Sequence, residues 1–106
     1  MDAAFLQYNP EYLQVEANLD RVEKLLADVQ ADLIVLPELF ASGYFFRSSN
    51  DLSIVAETIP DGITIRRLGE WARERGAVIV AGLPERAGDT FFNSAVVVAP
   101  DGYLGK

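Results

Sequence analysis

The sequence predicts an α/β fold, and two uninterrupted apolar runs together with one amphipathic pattern predict it. Leu33–Leu36 and Ala77–Ala81 are composed of apolar residues throughout, as is typical of strands covered on both faces. Apolar residues also recur at spacings of four and three, as on one face of a helix, at Val15, Leu19, Val22, Leu26 and Val29. Strands that alternate with helices in this way form a sheet with flanking helices, and the hairpin expected at the end of the chain makes this a mixed sheet.

The first part of the chain is predicted to form a strand, a helix and a second strand. Ala3–Tyr8 is a short, mostly apolar segment and is predicted to be the first strand. Asn9 and Pro10 suit the N-cap and the first position of a helix that runs to about residue 30. Leu33–Leu36 follows as the second strand, and a right-handed crossover sets the two strands parallel.

Two more helices are predicted in the middle of the chain. Ser49 or Asn50 can cap a short helix over residues 51–57. Asp61 can cap a third helix, for which Gly76 is the C-terminal stop. Trp71 lies on the apolar side of this helix and is expected to anchor the core.

Strands are predicted for the rest of the chain. The run from Ala77 is expected to end at Gly82–Pro84, and a strand is expected over Phe92–Ala99. Pro100–Gly102 is typical of a hairpin turn, after which a return strand begins. Since the chain stops at Lys106, inside that strand, residues 1–106 are expected to be one partial domain cut within a β-hairpin.

Composition excludes several classes of function. The chain has 16 acidic and 9 basic residues, and its net charge of −7 disfavours binding to nucleic acids or to membrane surfaces. It contains no cysteine and no histidine, so it can form neither a disulfide nor a cysteine–histidine nucleophile pair. Without a secretory signal or an apolar run of about 20 residues, a cytoplasmic location is expected.

Glu38 is the candidate catalytic residue. Pro37 ends the preceding strand because it has no N–H to donate, so Glu38 falls just past the carboxyl end of that strand, where α/β sheets place ligand crevices. Apolar neighbours would make its carboxylate a better proton acceptor, and they are Leu39, Phe40, Tyr44, Phe45 and Phe46. A capping or solvated glutamate is the alternative. Phe45 and Phe46 are expected in the core, Tyr44 is a candidate pocket residue, and Gly43 is expected to allow the turn with a positive φ.

The same stretch resembles a known family. Pro37–Phe40 followed by Ser42–Tyr44, behind an apolar strand, resembles the glutamate motif of the nitrilase (carbon–nitrogen hydrolase) superfamily. The resemblance continues in the same order through Ala81–Arg86, Phe92–Ser94, Asp101–Gly102 and Gly105–Lys106. It implies the N-terminal part of an α-β-β-α sandwich. It also implies hydrolysis of amides, nitriles or carbamoyl groups by a glutamate–lysine–cysteine triad, without metal or organic cofactor, in a homo-oligomer.

Only one member of that triad has a match in this chain. Glu38 corresponds to the glutamate, the general base. Lys106 corresponds to the lysine of a Gly-Lys pair, which in the family is typically followed by Tyr-Arg-Lys, and the last of those residues is the catalytic lysine. That lysine and the cysteine are therefore expected beyond Lys106. The 106-residue chain alone is predicted to be inactive.

The sequence also bears on Glu85, on Asn93 and on the class of function. Glu85 follows an apolar strand and could approach Glu38, but a loop position, either solvated or ion-paired with the adjacent Arg86, is favoured. Asn93 precedes an apolar strand and could hydrogen-bond the neighbouring loop, but it is interpreted as structural, although the sequence does not decide this. A non-catalytic α/β module, either a small-molecule binder or an interaction domain, is the alternative to a hydrolase.

Overall fold

The computed structural model describes residues 1–106 as one five-stranded sheet with flanking helices, which confirms the predicted α/β class. The elements are β1 Ala3–Phe5, α1 Val15–Leu26, β2 Leu33–Val35, α2 Ser49–Val55, α3 Ile63–Arg75, β3 Val78–Ala87, β4 Thr90–Ala99 and β5 Gly102–Gly105. Strands β1, β2 and β3 are parallel, whereas β4 pairs antiparallel with both β3 and β5. None of the helices is long and apolar enough to cross a membrane.

Helices α1 and α3 cover one face of the sheet and form the core with it. Fully buried residues of this layer include Leu19, Val22 and Leu26 of α1, Leu68 and Trp71 of α3, and Ile34, Ile79, Val96 and Val98 of the strands. Trp71 is buried as predicted, and its indole Nε1 donates a hydrogen bond of 3.0 Å to Glu23 Oε1. This packed layer fixes the positions of the strand ends.

The opposite face of the sheet has no helix over its first strands. Because side chains alternate along a strand, the neighbours of the core residues point to this face. Phe5 of β1 is 79% exposed there, and Val35 of β2 is 39% exposed. We call this surface the open face.

Helix α1 begins later than the sequence predicts. Its N-cap is Gln14, without a side-chain cap, so Asn9 and Pro10 do not start the helix. The segment before the helix is held in an irregular path by Asn18, whose Oδ1 accepts from Glu11 N and whose Nδ2 donates to Glu11 O. These two bonds occupy backbone groups that a longer helix would need. The helix also ends at Leu26 rather than near residue 30.

The predicted caps of the other two helices are also corrected. Ser48 caps α2, because its Oγ accepts a 3.1 Å hydrogen bond from Asp51 N, so neither Ser49 nor Asn50 is the cap. Asp61 does not cap α3, because a carboxylate from earlier in the chain bonds the first turn of that helix.

The carboxylate at the start of α3 belongs to Glu57. Its Oε1 accepts a 2.8 Å hydrogen bond from Thr64 N in the first turn, and its Oε2 accepts from the Thr64 hydroxyl. Gly62 occupies the N-cap position without a side-chain bond. The predicted stop at Gly76 is confirmed, since that residue has a φ of 62° in the left-handed region.

Strand β3 does not end at Gly82–Pro84, as the sequence predicts, but continues to Ala87. Pro84 is tolerated because its carbonyl, and therefore its nitrogen, points away from β4. On that side β2 has already ended, and Glu57 N donates to Pro84 O at 2.9 Å. The missing N–H thus removes no bond of the β3–β4 ladder. Glu85 consequently lies on a strand and not on a loop.

Strand β5 contains a bulge. Tyr103 pairs with Val98, but Gly105 pairs with Val97, so Leu104 is an extra residue on β5. One extra residue changes the face to which all later side chains of the strand point.

Candidate active site

Glu38 lies in a turn just beyond the carboxyl end of β2, where the sequence predicts it. The turn follows from Pro37 and from Leu39, a non-glycine residue with a φ of 49°. Such a backbone costs about 1–3 kcal/mol and persists only where the surroundings enforce it. Gly43, with a φ of 92°, ends the segment, and the predicted positive φ there is confirmed. We refer to residues 37–43 as the glutamate loop.

Hydrogen bonds from several elements hold the glutamate loop. Phe40 N donates to Gly82 O at 3.2 Å, and Gly82 N donates to Pro37 O at 3.3 Å, so the loop extends the β2–β3 contact. Asn18 Nδ2 donates to Ala41 O at 2.8 Å. The Tyr8 hydroxyl donates to Phe40 O. With its backbone bound on both sides, the loop presents Glu38 in a defined position.

Gly82 lets the glutamate loop approach β3 at backbone contact distance. A Cβ atom placed on Gly82 would lie 2.7 Å from Glu38 Cα and 2.9 Å from Leu39 N. Both distances are shorter than a van der Waals contact, and both neighbours are backbone atoms. A side chain at position 82 therefore cannot coexist with the observed position of Glu38.

Burial raises the pKa of Tyr8 to about 12, with a further increase from Tyr44 that is partly offset by Arg21. Between the ordinary pKa of 10.0 and about 12, the folded state keeps the phenol proton that the unfolded state loses. The free energy of unfolding therefore falls as the pH rises through this range.

We expect Tyr8→Phe to lower the free energy of unfolding by about 1 kcal/mol at pH 8, because Phe40 O loses its donor. The same variant should lose less stability than the wild-type chain between pH 10 and pH 12. Urea unfolding at pH 8 and pH 11 measures both effects. Tyr103→Phe is the matched control, because the Tyr103 hydroxyl makes no hydrogen bond within the protein. Equal alkaline losses in the wild type and Tyr8→Phe would contradict the assignment.

Asn93 hydrogen-bonds the carboxylate of Glu38, a partner that the sequence did not identify. Its Nδ2 donates a hydrogen bond to Glu38 Oε1, whereas Glu38 Oε2 has no partner in the protein. Both residues line a cavity of about 290 Å³ together with Leu36, Val80, Ala81, Gly82, Ser94 and Ala95. Pairing of β4 with β3 sets Asn93 opposite Pro84, close to the glutamate loop. The register of these two strands is the information that the sequence alone lacked.

The aromatic residues that follow Glu38 do not surround it. Phe45 is 89% exposed, so its predicted place in the core is wrong, and Phe46 is only partly buried. Tyr44 is 42% exposed and does not line the Glu38 cavity. The cavity walls come from β3 and β4 instead. A role for Tyr44 in a substrate pocket stays a prediction.

A second polar cluster lies on the strands beside Asn93. Glu85 is only 4% exposed, accepts a 2.7 Å hydrogen bond from Ser94 Oγ, and forms an ion pair with Lys106. The bond from Lys106, followed by that from Ser94, lowers the pKa of Glu85 despite its burial. The predicted pairing with Arg86 is wrong, because Arg86 alternates to the other side of β3 and donates to Ser53 O.

Comparison with known proteins gives a family for this architecture. The model of the carbon-nitrogen hydrolase family matches residues 2–106. A nitrilase from Pyrococcus abyssi is 43% identical over 106 residues, which are 97% of this chain and 40% of that protein. An (R)-stereoselective amidase from a Pseudomonas species is 36% identical over 87 residues, 80% of this chain and 31% of that protein. The chain thus spans less than half the length of these relatives.

Solved structures share the same fold. The crystal structure of an N-terminal amidase superposes with a TM-score of 0.87 at 25% identity. The superposition covers 94% of this chain and 25% of the amidase chain.

Proposed function

Because the chain belongs to the carbon–nitrogen hydrolase family, we propose that it forms the N-terminal part of an enzyme that hydrolyses non-peptide carbon–nitrogen bonds. The substrates are small amides, nitriles or carbamoyl compounds, the classes that the family resemblance implies. Residues 1–106 are on this proposal a partial domain, completed by a later segment of the polypeptide. The enzyme is a homo-oligomer located in the cytoplasm.

The geometry of Glu38 is the observation that carries this proposal. Asn93 binds one carboxylate oxygen and leaves the other without a partner on a cavity wall. A general base needs such an arrangement, in which one oxygen is fixed and the second is free to accept a proton.

Glu38 accepts the proton of a cysteine thiol, and the resulting thiolate attacks the carbonyl or nitrile carbon. With an amide, Glu38 returns this proton to the nitrogen that leaves as the C–N bond breaks and a thioester forms. With a nitrile, the proton goes to the nitrogen of a thioimidate, and addition of water then releases that nitrogen as ammonia and leaves the thioester. Water deprotonated by Glu38 hydrolyses the thioester, which releases the acid and restores the thiol.

The register of β5 supports a position for the catalytic lysine on the face of the sheet that carries the Glu38 cavity. Gly105 is opposite Val97, and antiparallel pairing that continued without further change would place the next positions opposite Val96, Ala95, Ser94 and Asn93 in turn. The third position after Lys106 would then be opposite Asn93 and on the same face of the sheet. A lysine there would reach the Glu38 cavity and stabilise the tetrahedral intermediate.

Release of ammonia from simple aliphatic amides and nitriles tests the proposal. We expect turnover from the polypeptide that contains these residues together with the later lysine and cysteine, and loss of turnover after alkylation of its thiols. The 106-residue chain, which has no cysteine, should release no ammonia above a buffer blank. Turnover by the 106-residue chain would contradict the proposed mechanism. Binding of the amides without turnover by the longer polypeptide would favour a non-catalytic module.

A further inference from the structure

The cluster of Glu85, Ser94 and Lys106 connects three adjacent strands on one face of the sheet. Glu85 belongs to β3, Ser94 to β4, and Lys106 directly follows β5. Glu85 Oε1 accepts from Ser94 Oγ, and Glu85 Oε2 accepts from Lys106 Nζ. The carboxylate is almost fully buried, and a buried charge is stable only when its partners are in place. The cluster is therefore sensitive to the position of Lys106.

The bulge at Leu104 is what brings Lys106 to this face. Because Gly105 pairs with Val97, continuation of the pairing by one residue sets Lys106 opposite Val96. The Val96 side chain is in the core, on the same face of the sheet as Ser94. Without the bulge, Tyr103 would still pair with Val98, but Lys106 would be opposite Ala95 and point to the open face. The Lys106 ammonium would then lie on the opposite face of the sheet from Glu85, so the ion pair could not form.

Backbone pairing alone specifies this register weakly. Strand β5 pairs with β4 at only three positions, and the register changes between two of them. A short strand of this kind can slip by one residue unless side chains prevent it. The ion pair is the contact that distinguishes the bulged register from the regular one.

We infer that Glu85, Ser94 and Lys106 are positioning residues that hold β5 in its bulged register and so determine which face the residues after Lys106 occupy. The catalytic part of this inference rests on the proposed function. In the bulged register, the third position after Lys106 faces Asn93 and Glu38. In the regular register it would face the helices.

The register is tested by NMR on the polypeptide that carries these residues, with valine, leucine and glycine labelled. Cross-strand NOEs between Val97 and Gly105 report the bulged register, whereas NOEs between Val97 and Leu104 would report the regular one. We expect only the first in the wild type. The double variant Glu85→Gln/Lys106→Met removes the attraction without leaving a buried charge unpaired, and it should show the Val97–Leu104 NOE. Persistence of the wild-type pattern alone would overturn the inference.

Kinetics separate positioning from general stabilisation. The neutral double variant should lose kcat at least about tenfold, with KM changed by less than about twofold, because an interaction made in the transition state is misplaced. The charge-swapped variant Glu85→Lys/Lys106→Glu should restore kcat to within about tenfold of the wild type, since the pair can form again. Lys24→Met on the exposed side of α1 should leave kcat unchanged. A charge-swapped variant no better than the neutral one would count against the pair.

The outcomes of this experiment and of the proposed function can be told apart. Full turnover by a Glu38→Gln variant would remove the proposed mechanism, yet the NOE pattern would still decide the register. Suppose instead that Glu38→Gln is inactive, but that Glu85→Gln/Lys106→Met keeps the wild-type NOE pattern and the wild-type kcat. These results would overturn the register inference and leave the proposed function in place.

Discussion

Glu38→Gln is expected to lower kcat of the polypeptide that contains the complete triad by about 10²–10⁴-fold, the usual contribution of a general base. Glutamine keeps the size of the side chain, and its Oε1 can still accept the hydrogen bond from Asn93 Nδ2. It cannot accept the thiol proton. The fold and the free energy of unfolding should therefore change little, since the glutamate side chain is exposed.

Steady-state kinetics on amides, together with circular dichroism and urea unfolding, measure both parts of this expectation. Glu16→Gln is the matched control, because Glu16 is an exposed glutamate of α1 with no hydrogen bond or ion pair. It removes the same charge from the chain and should leave kcat unchanged. Turnover of Glu38→Gln within about threefold of the wild type would show that Glu38 is structural, since general-base catalysis contributes far more.

Gly82→Ala is expected to disturb both stability and activity. The added Cβ would meet Glu38 Cα at 2.7 Å and Leu39 N at 2.9 Å, so the glutamate loop must move away from β3. Overpacking of this kind costs about 1–3 kcal/mol of unfolding free energy. Because the loop carries Glu38, a displacement near 1 Å should also lower kcat by about 10²-fold.

Gly69→Ala provides the control for this prediction. Gly69 lies in α3, and a Cβ placed there meets no atom within 4 Å. Alanine is the better helix former, so this variant should gain about 0.5–1 kcal/mol of stability and keep its activity. Differential scanning calorimetry and activity assays on Gly82→Ala and Gly69→Ala measure the change in stability and in kcat. If Gly82→Ala melted at the wild-type temperature with full activity, the close approach at Gly82 would be irrelevant to the site.

The existence of the strands, though not every strand boundary, and the position of Glu38 were predictable because they depend on local signals. The apolar run at Leu33–Leu36 indicated a buried parallel strand, and the structure places β2 there, beside β3. Pro37 ended that strand, so Glu38 had to emerge at its carboxyl end. Gly43 could likewise be assigned a positive φ from the turn it must form.

Contacts between distant segments could not be predicted from the same patterns. Asn93 reaches Glu38 only because β3 and β4 pair in one particular register, and neither segment specifies that register by itself. Glu57 replaces Asp61 at α3 for a similar reason, since it is brought there by its bridge to Glu85. Phe45 shows the converse, because an aromatic residue in a loop has no periodicity that reveals whether it is buried.

The bulge at Leu104 has a consequence for how this stretch can vary in length. Deletion of one residue from Tyr103–Gly105 would invert the sides taken by every later residue of the strand, whereas deletion or insertion of two would preserve them. Length differences here should therefore come in even numbers among proteins that retain the site.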